Sequence, residues 1–250
     1  MIVIRHIDFG YRPHHPVLQD ISGHIGAGDF VAIVGANGSG KSTLIKCFCN
    51  ILKPQKGCIL INGLPSVKYS PAQLARTVAY IPQTEKGNRQ MTVFDTALAG
   101  RTPYIRWKPS GRDFEEVACV LRQLGIEHLS MRYMHELSGG QQQTVMIARA
   151  LAQKTNILLL DEPTANLDMR HQMEVMQLLK SLSARGLTIV MSIHDINMAI
   201  RYADRFMMLK EGRIFACGDR EIVTRENIER LYDIQVEMID GHGTPHVIPL

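Results

Sequence analysis

An α/β fold organised on a buried parallel sheet is predicted by three features of the chain. Apolar runs "FVAIVG" at 30–35, "ILLLD" at 157–161 and "LTIVMSI" at 187–193 have the length and continuous hydrophobicity of strands covered on both faces. A glycine-rich turn follows the first run and leads into helical sequence. A helical stretch near 170–184 separates the other two, the alternation that builds parallel sheets. With 250 residues, 45% of them hydrophobic and 21% charged, the chain can bury a full core.

Taken in order, the N-terminal part reads as strands at 2–9 and 17–25, then one at 58–62 that ends on Asn62-Gly63, a hairpin-turn dipeptide. The run at 30–35 feeds a helix near 41–52, which Pro54 stops. Ser70-Pro71 opens a short helix, and Thr92 with Asp95 has the spacing of a capping box. Phe114, Val117, Ala118, Leu121 and Leu124 recur at helical intervals up to Gly125. Strand character returns at 157–161, 187–193 and 205–210, and a small segment follows Gly218. The expected organisation is one domain over 1–250, with a core from 1–87 and 154–217, a helical insertion at 88–153 and a C-terminal extension at 218–250.

Composition removes several classes. No apolar run approaches the ~20 residues that span a bilayer, and the first residues, "MIVIRHIDFG", hold no leader-like apolar stretch, so a cytosolic chain is expected. None of the five cysteines forms a C-x-x-C pair, and all are read as reduced. His14, His15, His242 and His246 lie in Pro/Gly-rich loops and read as surface residues. A net charge of +4 suits anionic ligands or a membrane surface but falls short of the clustered basic stripe of a nucleic-acid binder.

Three stretches carry chemistry. "GANGSGKST" at 35–43 fits G-x-x-x-x-G-K-[ST], with a strand before it and a helix after. The glycines let successive backbone N–H groups cradle phosphate oxygens, Lys41 neutralises them, and the Ser42 hydroxyl can ligate Mg²⁺. "NILLLDEPTANLD" at 156–168 ends a strand on adjacent carboxylates, which alternation sends in different directions, so one can serve a metal and the other a water. "LSGGQ" at 137–141 places Ser138 as cap of a helix expected to begin at Gln141, while Gly139 and Gly140 leave its N-terminus bare for an anion. Val145, Met146, Ala148 and Leu151 would pack the far part of that helix against the insertion.

With Gln83 in "YIPQ", "ANLD" at 165–168 and His194 in "SIHD", these motifs stand in an order that resembles the ATP-binding-cassette (ABC) ATPases along essentially the whole chain. The resemblance implies a P-loop NTPase (RecA-like) core with an antiparallel β subdomain and an inserted α-helical signature subdomain. It implies ATP and Mg²⁺ as ligands, bound between two copies placed head to tail, with the phosphate loop of one facing the LSGGQ signature of the other. On that resemblance Gly35, Asn37, Gly38, Ser39, Gly40, Lys41, Ser42 and Thr43 hold the phosphates, and Ser138, Gly139, Gly140 and Gln141 meet the γ-phosphate across the dimer. Tyr11 stacks on adenine; Ser42, Gln83 and Asp161 surround the metal. Glu162 is the general base, His194 contacts the γ-phosphate, and Gln83 completes the catalytic set. The D-loop, 165–168, departs from the common Ser-Ala-Leu-Asp, and Gln142, Gln143 and Thr144 stand where a basic residue often follows the signature.

Finer stretches are similar to importers of iron chelates, haem and cobalamin: "AGRTPYI" at 99–105, in which Thr102 replaces a bulkier residue, "LDMRHQ" at 167–172, "HDINMAIRYADRFMMLKEGRI" at 194–214 and "ENIERLYDIQVEMI" at 226–239. They imply separate integral-membrane permease subunits, indirectly a substrate-binding protein, and a place at the cytoplasmic face of the membrane, with no nucleic acid expected. Cassettes of this kind also serve exporters, DNA repair and translation. The segment "RTPYIRWKPSGR" at 101–112, with the single Trp, is read first as a solvated loop.

Overall fold

The computed structural model describes residues 1–12, 14–83, 90–241 and 243–250; His242 and the expected border between residues 87 and 88 lie outside them. Strands β1 (Ile2–Phe9) and β2 (Leu18–Ile25) pair antiparallel, and β1 also pairs with β4 (Lys56–Ile61). β4 turns through Asn62 and Gly63, both at positive φ, into the two-residue β5 (Leu64–Pro65). The result is a four-stranded sheet in the order β2-β1-β4-β5.

A second, six-stranded sheet carries the predicted parallel core. Its members are β3 (Phe30–Val34), β6 (Val78–Ile81), β7 (Ile157–Asp161), β8 (Thr188–Ser192), β9 (Arg205–Lys210) and β10 (Arg213–Asp219), in the order β10-β9-β3-β8-β7-β6. All pairs are parallel except β9 with β10. Every residue of β3, β7 and β8 is buried, which explains their unbroken hydrophobicity. On one face α1 (Lys41–Phe48) and the four-stranded sheet enclose a core that includes Ile4, Leu44, Phe48 and Leu159. On the other, α6 (Met169–Ser183) and α7 (Ile196–Tyr202) pack over Phe30, Leu158, Met191 and Phe206.

Helices α2 (Pro71–Ala75), α3 (Val93–Ala99), α4 (Gly111–Gln123) and α5 (Gly139–Ala152) lie between β5 and β7 in the chain, α2 before β6 and the other three after it. α2 carries a complete capping box at Ser70 and Gln73. At α3 the Thr92 side chain accepts from the Asp95 N–H. α3, α4 and α5 enclose a separate cluster around Val93, Val117, Leu121, Val145 and Ala148. Met146 points the other way, into the central-sheet core, so the expected packing of that helix against the insertion holds for Val145 and Ala148 but not for Met146. The segment expected to be a solvated loop is partly interior. Arg101 is buried, paired with Asp113 at 3.0 Å and donating to the Ala152 carbonyl, whereas Trp107 is 98% exposed. Hydrogen bonds from Ser110 and the Arg101 guanidinium hold the Asp113 carboxyl down at about 2.

After β10 come α8 (Arg225–Tyr232) and a hairpin of β11 (Val236–Gly241) and β12 (Thr244–Pro249). Val223, Ile228, Leu231, Val236 and Val247 belong to the main core, and Asn197 exchanges two hydrogen bonds with the backbone of Val247. The strands at 78–81, 213–219, 236–241 and 244–249 were not foreseen; each is short or mixed in polarity. All five cysteines are free, and burial pushes the Cys47 thiol up to about 12. Among the described residues no helix is long and apolar enough to cross a membrane.

Candidate functional site

The carboxyl end of β3 opens into the 35–43 turn, and α1 starts there from Gly40, whose φ of 106° is glycine's own territory. A Cβ at Gly40 would also stand 2.8 Å from the Leu18 side chain. Among the described residues no side chain caps this helix, so its first N–H groups remain available to an anion. The Ser39 hydroxyl is buried without a partner among the described residues, a second group poised for an acceptor. Lys41 is 5% exposed and donates to the carbonyls of Gly35 and Ala36 at 2.8 and 3.0 Å. Burial lowers its pKa, and the Glu162 and Asp161 carboxylates oppose that shift. The turn borders a cavity of about 270 Å³ whose wall includes Asn37, Gly38, Thr43, Tyr11 and Glu162. The Tyr11 hydroxyl lies 3.3 Å from Thr43 Oγ1, and its ring meets Phe9 edge-on.

Asp161 and Glu162 do diverge, but through a turn and not through strand alternation. β7 ends at Asp161, and Glu162 adopts φ 51°, a left-handed conformation uncommon outside glycine. Its N–H is held by the Ser192 hydroxyl at 3.0 Å, which fixes the turn. The buried Asp161 accepts from Ser42 Oγ and from Ser192 Oγ, both at 2.7 Å. Glu162 instead receives the Gln83 amide at 2.5 Å and is paired with His194 Nε2. His194 stands two residues beyond the end of β8 and is 46% exposed along its side chain. Gln83, Glu162 and His194 thus converge beside the phosphate loop, and Ser42 joins Asp161 beneath them. Ser192 was missed: its role comes from Asp161 and Glu162, distant in sequence, and a serine near the end of an apolar run gives no local sign of it.

The signature lies apart from this cavity, since no residue of 137–141 lines it. Ser138 caps α5, which begins at Gly139 and not at Gln141 as expected, and the reciprocal Ser138–Gln141 capping box is present. Ser138 and Gly139 are exposed, while Gly140 is buried.

A family model described as ABC transporter matches residues 18–165, more than half of the chain. An uncharacterised ABC transporter ATP-binding protein of Methanocaldococcus jannaschii is 44% identical over 98% of this chain and 96% of its own length. The ferric enterobactin transport ATP-binding protein of Escherichia coli is 38% identical over 98% and 92%. Among solved structures, a protein described as of metal-chelate ABC transporter type, in an inward-facing conformation, superposes with a TM-score of 0.87 at 29% identity, covering all of this chain and 96% of that one. A dimeric bacterial ABC transporter cassette superposes at 0.77 with 30% identity, over 88% and 99%. Sequence, fold and the convergence of phosphate loop, carboxylates and histidine agree: the chain belongs to the ABC transporter family, as an ATP-binding, ATP-hydrolysing subunit.

Proposed function

We propose that two copies of this chain, seated at the cytoplasmic face of a membrane on separate permease subunits, hydrolyse ATP to drive uptake of an iron chelate, haem or cobalamin. One observation carries the two-copy part. The cavity at the phosphate loop is walled by own-chain residues that suit the adenine side and the phosphates, yet the signature stands outside it with Ser138 and Gly139 exposed. A second copy supplies that missing wall. The transport class rests on relatives such as the petrobactin import ATP-binding protein of Bacillus anthracis, 38% identical over 93% of this chain.

Within one such site, the 35–43 backbone and Lys41 bind the phosphates, and Tyr11 stacks on the base. The donor set suits Mg²⁺: one hydroxyl and one carboxylate are already paired, and the described residues hold no cluster of three His, Cys, Asp or Glu that would retain a metal unaided. Ser42, Asp161 and Gln83 would hold the ion, which when bound supplies charge neutralisation for the phosphoryl group. Glu162 takes the proton of the attacking water. His194 orients Glu162 and reaches the γ-phosphate.

Mixing two inactive variants tests the composite site. Ser138→Arg and Lys41→Ala chains together form mixed dimers with one intact site and one doubly broken site. Recovery of partial turnover from the mixture is the expected result. A dead mixture, with subunit exchange demonstrated by fluorescence transfer, counts against the arrangement.

A further inference from the structure

The loop before α5 and the loop before α6 are built alike. Ser138 caps the first helix by accepting from the Gln141 N–H at 3.3 Å, and Asp168 caps the second by accepting from the His171 N–H at 2.9 Å. One residue further on, each helix carries a glutamine whose amide turns back onto its own loop. Gln142 Nε2 donates to the carbonyls of Leu137 and Met134 at 3.1 and 3.0 Å. Gln172 Nε2 donates to those of Leu167 and Thr164 at 3.1 and 3.4 Å. The offsets are the same, five and eight residues back, so one amide fastens two loop carbonyls in each case.

These two stapled turns press on each other. The Leu167 side chain lies 3.6 Å from where a Cβ of Gly139 would be. The His171 ring occupies the space a side chain at Gly140 would need, with Cδ2 2.1 Å from that Cβ position. The ring is itself fixed, because Nδ1 contacts both Asp168 carboxylate oxygens at 2.8 and 2.9 Å. The two turns are thus packed directly against each other. The second turn also leads straight to the hydrolytic carboxylate: the Leu167 N–H donates to Thr164 O, and the Ala165 N–H to Glu162 O.

We propose that the signature turn at 134–141 and the D-loop turn at 162–168 form one rigid block, held by Gln142, Gln172 and His171, and that through this block a nucleotide engaging the signature from the partner copy sets the position of Glu162 at this chain's own nucleotide. The proposal rests on the composite two-copy site. Gln142, Gln172 and His171 are positioning residues, since none of them lines the phosphate-loop cavity.

The test uses the full chain, ATP as the probe, and Gln142→Met and Gln172→Met, which keep side-chain volume and remove the donor. Each is expected to lower kcat about tenfold while KM for ATP stays within about twofold, the pattern of a group that acts after binding. The double variant should lose no more than the worse single one, because either change already opens the block. Wild-type kcat in both singles, or losses that multiply in the double, overturns the proposal. A parallel rise in KM and fall in melting temperature also overturns it, marking the glutamines as caps alone. The composite site is read separately, by ATP-driven dimerisation of a Glu162→Gln chain with both glutamines intact, so its failure cannot be mistaken for failure of the block.

Discussion

Two helices in this protein start from glycine-rich turns, and they start in opposite ways. Among the described residues, α1 springs from a left-handed Gly40 with no side-chain cap, over a buried lysine and a Ser39 hydroxyl without a partner. α5 springs from Ser138 with its capping box closed and its first glycine facing solvent. Capping satisfies a helix's own donors, and leaving them open reserves them for a ligand. In the proposed arrangement α1 is the end that one chain fills with nucleotide, and α5 is a surface offered to the second copy. Glycine content alone does not distinguish them; the capping residue does.

The contrast breaks most severely at the carboxylate that hangs over the α1 turn. Glu162→Gln should slow hydrolysis ~10²–10⁴-fold, the usual loss for a general base, while ATP binding stays near wild type. Steady-state turnover beside equilibrium nucleotide binding measures both, and turnover within a few-fold of wild type would refute the role. Removing the cation under α1 acts on binding instead. Lys41→Ala should weaken ATP affinity about 10–100-fold, the worth of a charge-assisted contact to phosphate, and erase the ATP-induced rise in melting temperature. An unchanged thermal shift would mean that the α1 end is not the nucleotide cradle. The smallest effect belongs to the capped end: Ser138→Ala removes a cap worth about 1 kcal/mol, or roughly 2–4 °C in a chain of this size. Its own-chain nucleotide affinity should not change, and a loss comparable to that of Lys41→Ala would erase the distinction between the two ends.

How much of this was legible beforehand follows from what each residue's neighbours in sequence reveal. β3, β7 and β8 are buried on both faces, so their apolar runs declare them, and the 35–43 turn declares itself through glycine spacing. The capping boxes at Ser70 and Ser138 are local four-residue events and were equally readable. β10, none of whose residues is fully buried, and the 236–249 hairpin draw their strand character from distant partners and gave no local pattern. The same holds at the site. Ser192 earns its place through Asp161, 31 positions away, and Glu162 is aimed by a left-handed φ that strand alternation does not predict. Arg101 looked like one more loop cation because its partner Asp113 and the Ala152 carbonyl meet it only in three dimensions.

The position of β3 in its sheet has a consequence for how the molecule comes into being. Both hydrogen-bonded neighbours of this strand, β8 and β9, lie in 188–210, more than 150 residues further along the chain. Until those residues have left the ribosome, the strand that bears the phosphate loop has nothing to zip against, and closing so long a loop carries an entropic toll that local helices do not repay. The earlier strands and the helical layer can gather first, while apolar β3 stays unpaired and open to aggregation until β8 and β9 arrive. A chain that grips ATP through the phosphate loop has therefore already joined β3 to β8 and β9, across most of its length.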